Sequence, residues 1–186
     1  MSLKIPIKAG SITNLTDARF FAAYEVAYLG FCFDPQSPNY ISPQTASAIK
    51  GWIHGPKIVA EFANQDIDNI LNIISFLQPD IIQLADEYFT VNEIKFTTEL
   101  KIIRRSSINN LDNIKGNYLF ILIDDFNGIN FPENELPLMF DVSFIDHELV
   151  NPSFNAIQIN GGPENEVGIK NYEELAELLD NLVIQD

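Results

Sequence analysis

The stretch KIVAEFANQDIDNILNIISFLQPDIIQL, residues 57–84, switches from a strand pattern to a helical one and back. Lys57–Phe62 is almost continuously apolar, as strands buried on both faces are. The segment 66–77 then carries apolar residues at helical spacing: Ile67, Ile70, Leu71, Ile74 and Leu77. Pro79 separates this helix from a second strand, Ile81–Leu84. The stretch therefore predicts a strand–helix–strand unit with two parallel strands.

The same alternation recurs along the whole chain. The predicted strands are Leu3–Ile7, Val26–Phe33, Lys57–Phe62, Ile81–Leu84, Lys101–Arg104, Tyr118–Ile123, Leu138–Val142 and Ala156–Ile159. The predicted helices are Asn14–Tyr24, residues 42–53, Asp66–Leu77, Val91–Thr97 and Tyr172–Leu182. Eight strands that alternate with helices predict the α/β class and a small (β/α)8 TIM barrel, with reduced helices after strands 5–7. An open doubly wound sheet is the alternative, and either fold forms one domain over residues 1–186.

The composition limits the possible partners. The chain has 186 residues, 46% of them hydrophobic, and carries 11 basic against 26 acidic side chains, a net charge of −15. Residues 124–186 hold 14 of the acids and only Lys170, a net of −13. Nucleic-acid binding needs clustered Lys and Arg, so we expect no nucleic-acid partner. No apolar run approaches ~18 residues and no signal segment starts the chain, so we also expect no membrane partner.

Cysteine and acidic residues give little sign of redox or metal chemistry. Cys32 is the one cysteine, so an internal disulfide is excluded and a cytoplasmic location is expected. Asp141, Asp146, His147 and Glu148 lack the spacing of a metal site and are better interpreted as an acidic loop. We therefore expect neither a metal nor a cofactor.

Several segments resemble, in order along the chain, those of one enzyme family. They are Ser11–Ala18 (SITNLTDA), Tyr28–Phe31 (YLGF), Pro35–Pro43 (PQSPNYISP), Val59–Gln65 (VAEFANQ), Ile82–Leu84 (IQL) and Gly161–Asn171 (GGPENEVGIKN). The resemblance is to the phosphoribosylanthranilate isomerases, whose second loop reads Pro-Lys-Ser-Pro-Arg-Tyr-Ile-Ser. It implies an eight-stranded barrel of tryptophan biosynthesis that rearranges an N-ribosyl aminoaldose phosphate to an aminoketose. That reaction needs a general acid and a general base.

Most of the family's site residues have no counterpart in this chain. The family's general base is a cysteine that ends the first strand, and this position is Gly10. Ser11 beside it cannot serve, because an unassisted hydroxyl does not ionise near neutral pH. The arginine of the second loop is Asn39, and the histidine after the fourth strand is Ala85. Two glycine-rich phosphate loops are also absent.

Five residues remain as candidates for the site. The resemblance makes Asp124, after the sixth strand, the catalytic acid, although a lone strand-end Asp is also a common turn residue. Asn160, Gly161 and Gly162 could hold a phosphate through their N–H groups or form a simple turn. Lys8 is a candidate substrate-binding residue at the barrel mouth, with a structural role as the alternative. The predicted partner is a small phosphorylated sugar-like ligand.

Two main hypotheses about function follow from the resemblance. In the first, the chain is a divergent, catalytically degenerate relative of the isomerases that is kept for binding a ligand or a partner. In the second, it still isomerises phosphoribosylanthranilate, weakly or by an altered mechanism. A changed sugar-like substrate is a third possibility, because barrel mouths accept new chemistry.

Overall fold

Eight parallel strands form a closed barrel in which each strand pairs with its neighbours in chain order. The computed structural model describes residues 3, 5–90, 99–125, 135–143, 154–160, 164–166, 169–170 and 172–182. The barrel closes where β1 pairs with β8, with Lys8 opposite Gln158 and Gly10 opposite Asn160. This confirms the (β/α)8 barrel and excludes the open sheet.

The strands lie close to their predicted positions, except for the first. They are β1 (Ile7–Gly10), β2 (Tyr28–Cys32), β3 (Lys57–Phe62), β4 (Ile81–Ala85), β5 (Lys101–Ser106), β6 (Phe120–Ile123), β7 (Leu138–Asp141) and β8 (Ala156–Asn160). The prediction of a strand over Leu3–Ile7 is therefore wrong. Pro6 has no N–H group for the ladder, so regular pairing begins only after it, and Lys8 and Gly10 become strand residues.

Helices cover the outside of the barrel. They are α1 (Leu15–Ala23), α2 (Pro43–Lys50), α3 (Ile67–Leu77), α4 (Glu87–Thr90) and α5 (Glu173–Leu182). The sequence encodes their starts: the Asn14 side chain accepts from the N–H of Asp17, and Asp66 accepts from Asn69, each at 2.8 Å. A 3-10 helix of six residues, Ile108–Asn113, follows β5. The predicted helix Val91–Thr97 and the segments after β6 and β7 lie outside the described residues.

The chain also contains a small hairpin that the sequence did not predict. Strands β9 (Glu164–Glu166) and β10 (Ile169–Lys170) pair antiparallel between β8 and α5. Their short length and acidic composition give no apolar alternation, so the sequence carries no strand signal there.

Two separate apolar clusters pack on the two sides of the barrel wall. The outer cluster joins the outward faces of the strands to the helices. The inner cluster fills the lower part of the barrel and consists of Val59, Ile81, Ile103, Phe120, Leu122, Met139 and Ala156. Successive residues of a strand point to opposite faces, so the next inward residues toward the carboxyl ends belong to the functional end of the barrel.

Candidate functional site

Polar side chains from different strands meet at the carboxyl ends of the barrel strands. They line a cavity of about 280 Å³, which we call the mouth cavity. Its walls include Glu61, Gln83, Arg105, Asp124, Asp141 and Asn160. A neighbouring cavity of about 470 Å³ lies over β3 to β6 and shares Arg105 and Asp124 with the first. The carboxyl end of the strands is where barrel enzymes place their active sites.

The floor of the mouth cavity is held by a buried lysine. Lys8 is completely buried, and its Nζ donates to Glu61 Oε1 and to Gln158 Oε1, each at 2.5 Å. The Glu61 carboxylate is also 94% buried, so this ion pair is largely removed from water. A buried ammonium needs such partners, since desolvation without them costs several kcal/mol.

Hydrogen bonds continue from this ion pair around the barrel wall. Gln158 Nε2 donates to Asp141 Oδ2 at 2.7 Å, and the Ser143 hydroxyl donates to Asp141 Oδ1 at 2.6 Å. The same hydroxyl accepts from the N–H of Asn160 at 2.9 Å. The network therefore connects β1, β3, β7 and β8 and fixes the acidic side chains that face the cavity.

Glu61 extends toward the end of β1, where the family resemblance places a cysteine. Its Oε2 accepts from the backbone N–H and the hydroxyl of Ser11, both at 3.3 Å. Ser11 follows Gly10 directly and has φ of +53°, a conformation that favours glycine. The carboxylate thus lies beside the end of β1, although it originates from β3.

Two glycines make room for this arrangement. A Cβ atom on Gly30 would overlap with Glu61 Oε1, so β2 needs a residue without a side chain here. A Cβ atom on Gly10 would lie 2.6 Å from Asn160 Oδ1 and 3.0 Å from Gln158 Cδ. The space that a side chain at position 10 would need is therefore already taken by residues of β8.

Asp124 lies at the end of β6 and faces both cavities. Its Oδ2 accepts from Arg105 Nε and Nη2, each at 2.6 Å. The pair is only partly shielded: 47% of the Arg105 side chain and 32% of the Asp124 side chain are exposed. A ligand in the mouth can therefore reach both groups.

Three buried polar atoms at the mouth lack a hydrogen-bond partner among the described residues. They are Gln83 Oε1, Ser106 Oγ and Asn160 Oδ1. Gln83 and Asn160 line the mouth cavity, and Ser106 lines its neighbour. Buried polar atoms are nearly always paired, so unpaired ones on a cavity wall indicate a place where a ligand or water binds.

Cys32, at the end of β2, also lines the mouth cavity. Burial raises the pKa of its thiol, while hydrogen bonds from Ser37 and the backbone of Asp34 act in the opposite direction. A thiol with a raised pKa is a poor nucleophile near neutral pH. Cys32 is therefore not suited to replace the cysteine missing at position 10.

The five predicted site residues are not all brought together. Asp124 and Asn160 both line the mouth cavity. Lys8 lies beneath it and is fully buried against Glu61, so its described contacts are structural. Gly161 and Gly162 lie outside the described residues.

Sequence reasoning missed Glu61, Gln83 and Gln158, three polar residues of the site. Each is a single polar residue inside an otherwise apolar strand, in VAEF, IIQL and AIQI. An isolated polar residue at an inward position of a buried strand is the signal that could have found them.

Metal-binding and membrane features were also searched for. Within the described ranges, no three His, Cys, Asp or Glu side chains are arranged to hold a metal ion. In the same part of the chain, no helix has both the length and the apolar character needed to cross a membrane.

Comparisons with known proteins agree on one family. The family model described as N-(5'-phosphoribosyl)anthranilate (PRA) isomerase matches residues 7–128. The enzyme of this name from Thermotoga petrophila is 31% identical over 114 residues, which span 60% of this chain and 55% of that protein. The Rhizobium rhizogenes enzyme is 27% identical over 183 residues, with 82% of each chain covered.

A solved structure of the same family has a closely similar fold. It is a phosphoribosyl anthranilate isomerase in complex with reduced 1-(o-carboxyphenylamino)-1-deoxyribulose 5-phosphate. The TM-score is 0.73 at 21% identity, with 96% of this chain and 98% of the other covered.

Proposed function

The chain belongs to the N-(5'-phosphoribosyl)anthranilate isomerase family, and we propose that it catalyses that family's reaction slowly and by an altered mechanism. The reaction, part of tryptophan biosynthesis, converts an aminoaldose phosphate to an aminoketose. An acid must protonate the ribose ring oxygen, and a base must remove the proton from C2. The names of the matched relatives support this reading over complete loss of activity.

Asp124 is the proposed general acid. It ends β6 and reaches the mouth cavity, as the resemblance requires of this residue. Its carboxylate is bound to Arg105, so the substrate must take over from the guanidinium before Asp124 can carry a proton to the ring oxygen. That exchange is one reason to expect slow turnover.

Glu61 is the proposed general base, and its position is the observation that carries the proposal. Its carboxylate lies beside the end of β1, where Gly10 offers no side chain. Lys8 occupies Oε1, whereas Oε2 accepts only two longer hydrogen bonds from Ser11, so Oε2 is the atom that would take the proton. In the barrel order β3 and β6 are separated by two strands, so acid and base approach the substrate from different sides.

The proposed ligand is a small phosphorylated sugar-like molecule. A structure of the family holds such a compound, which supports a ligand of this kind. Asn160, Gly161 and Gly162 are the proposed phosphate-binding segment. The net charge of −13 over residues 124–186 opposes an anion, so we expect millimolar affinity for ribose 5-phosphate by titration calorimetry at low ionic strength. Micromolar affinity that a bulky residue at Gly161 abolishes would contradict this expectation.

A degenerate protein that only binds its ligand is the second candidate. The crowding around Gly10 favours it, because Asn160 and Gln158 occupy the space of the missing catalytic side chain. Loss of a general base alone typically costs about 10²–10⁴-fold in rate.

A fluorescence assay with phosphoribosylanthranilate at high protein concentration separates the two candidates. The altered mechanism predicts kcat/KM well below ~10⁴ M⁻¹s⁻¹, the lower end of the ordinary range. Asp124→Asn and Glu61→Gln should each lower this value at least about a hundredfold. Glu177→Gln, an exposed carboxylate on α5, is the matched control and should change nothing.

Each possible result has a distinct meaning. No turnover by the unmodified chain would overturn the isomerase proposal and favour the binding protein. Turnover that survives Glu61→Gln in a folded variant, as judged by circular dichroism, would exclude Glu61 as the base.

A further inference from the structure

The walls of the mouth cavity carry more negative than positive charge. Asp34, Glu61, Asp124 and Asp141 line it, whereas the cations that pair with this set are Lys8 and Arg105, which leaves a net charge of −2. Glu61 and Asp124 are the two that form ion pairs.

The other two carboxylates have neutral partners among the described residues. Asp34 accepts from the N–H of Gln36 at 2.9 Å and from Asn64 Nδ2 at 3.0 Å. Asp141 accepts from Gln158 and Ser143. These hydrogen bonds fix the two carboxylates in place without neutralising them, so their charge acts on whatever enters the cavity.

An independent observation indicates that the cavity binds a hydrogen-bond donor. Gln83 is 93% buried and lines the mouth cavity, and its Oε1 has no partner among the described residues. Asn160 Oδ1, on the same cavity, is in the same state. Both atoms are acceptors, so the complementary ligand presents N–H or O–H groups to them.

We infer that the mouth cavity binds a small polyhydroxylated ligand that carries a protonated amino group. Its ammonium has three donors and a positive charge, which the uncompensated carboxylates attract. Its hydroxyl groups satisfy the amide oxygens of Gln83 and Asn160. An anionic substituent at this part of the ligand, such as the carboxylate of an aminobenzoate, would instead be repelled.

This inference rests on the proposed function only in taking the same mouth as the ligand site. It deepens the proposal by naming the substrate class: a sugar whose nitrogen substituent is basic. A phosphate elsewhere on that ligand is compatible with it, because the residues proposed for phosphate lie at the end of β8.

Three commercial sugars of similar shape provide the test. D-glucosamine carries the ammonium, D-glucose lacks it, and N-acetyl-D-glucosamine carries the nitrogen as a neutral amide. Titration calorimetry on the full chain, below the pKa of the amine, should give at least tenfold tighter binding of glucosamine than of the other two. Added salt should weaken glucosamine binding and leave glucose binding unchanged, because only the former depends on charge.

Variants separate the contribution of the carboxylates from that of the amide oxygen. Asp34→Asn and Asp141→Asn should each weaken glucosamine binding at least fivefold, while Glu177→Gln on α5 should not. Gln83→Met should weaken all three sugars alike, because it removes an acceptor for hydroxyl groups. The salt dependence of the unmodified chain needs no variant, so misfolding of a variant does not protect the inference.

The results distinguish this inference from the proposed function. Equal affinity for the three sugars, or no binding, would overturn the inference. If phosphoribosylanthranilate is still turned over in that case, the proposed function stands. Conversely, selective glucosamine binding without turnover supports the inference and contradicts the isomerase proposal.

Discussion

The two faces of the barrel wall differ in what they bind. The outward faces are apolar along their length, as with Ala60 and Phe62 of β3, which pack in the outer cluster. The inward faces change character: Val59 belongs to the inner apolar cluster, and Glu61, two residues further, is charged. The outward face therefore only stabilises the fold, whereas the upper part of the inward face also forms the site.

The polar part of the interior depends on mutual compensation. Lys8, Glu61 and Gln158 satisfy one another where seven apolar side chains close the barrel below. If this compensation is the reason that charge is tolerated there, removing one partner must cost far more than a surface change of the same kind.

The largest effect is expected from Glu61→Leu. The change leaves the Lys8 ammonium buried with Gln158 as its remaining described partner, and should lower the free energy of unfolding by about 3–5 kcal/mol. Urea denaturation followed by circular dichroism measures it. Glu177→Gln on α5 should stay within ~0.5 kcal/mol.

A double variant tests the cause of that loss. Lys8→Met combined with Glu61→Leu removes both charges, and should recover most of the stability, since a buried ion pair can often be replaced by apolar residues at little cost. A double variant as unstable as the single one would show that packing, and not the unpaired charge, is responsible.

The next effect concerns the glycine that makes room for Glu61. Gly30→Ala forces the carboxylate away from Lys8, so we expect a loss of about 1–3 kcal/mol in the free energy of unfolding. Gly51→Ala is the matched control. At Gly51 φ is −63° and an added Cβ meets its nearest atom at 3.4 Å, so this change should be neutral or slightly stabilising. Equal effects of the two changes would contradict the role of Gly30.

A smaller effect is expected from restoring the cysteine at position 10. Gly10→Cys should cost about 1 kcal/mol, because its Cβ crowds the flexible end of Asn160. The single variant should not raise turnover of phosphoribosylanthranilate. Gly10→Cys with Asn160→Ala removes the crowding and should raise it, as measured by substrate fluorescence. A gain from the single variant would show that the space at Gly10 is open.

The fold could be predicted from the sequence, and the site only in part. Apolar runs such as residues 57–62 and helical spacing such as residues 66–77 are local signals, and the structure retains both elements. The site depends on which strand residues point inward and meet across the barrel. Lys8 and Glu61 are 53 residues apart, and no local pattern links them. Asp124 was predicted because the resemblance supplied its position.

The smallest effect concerns Cys32, a single thiol that reports on the mouth cavity. Burial raises its pKa, so near pH 8.5 less of it is thiolate in the folded chain than in the unfolded chain. Alkylation by iodoacetamide, followed by mass spectrometry, should be several-fold slower in the folded chain. The raised pKa also means that this group favours folding below the pKa of the free thiol, and that its contribution is lost as the pH rises above that value. Cys32 lines the mouth cavity, so a bound ligand should slow alkylation further. Equal rates in the folded and denatured chains would show that the inward end of β2 is open to solvent, and that the mouth is less enclosed than the barrel wall indicates.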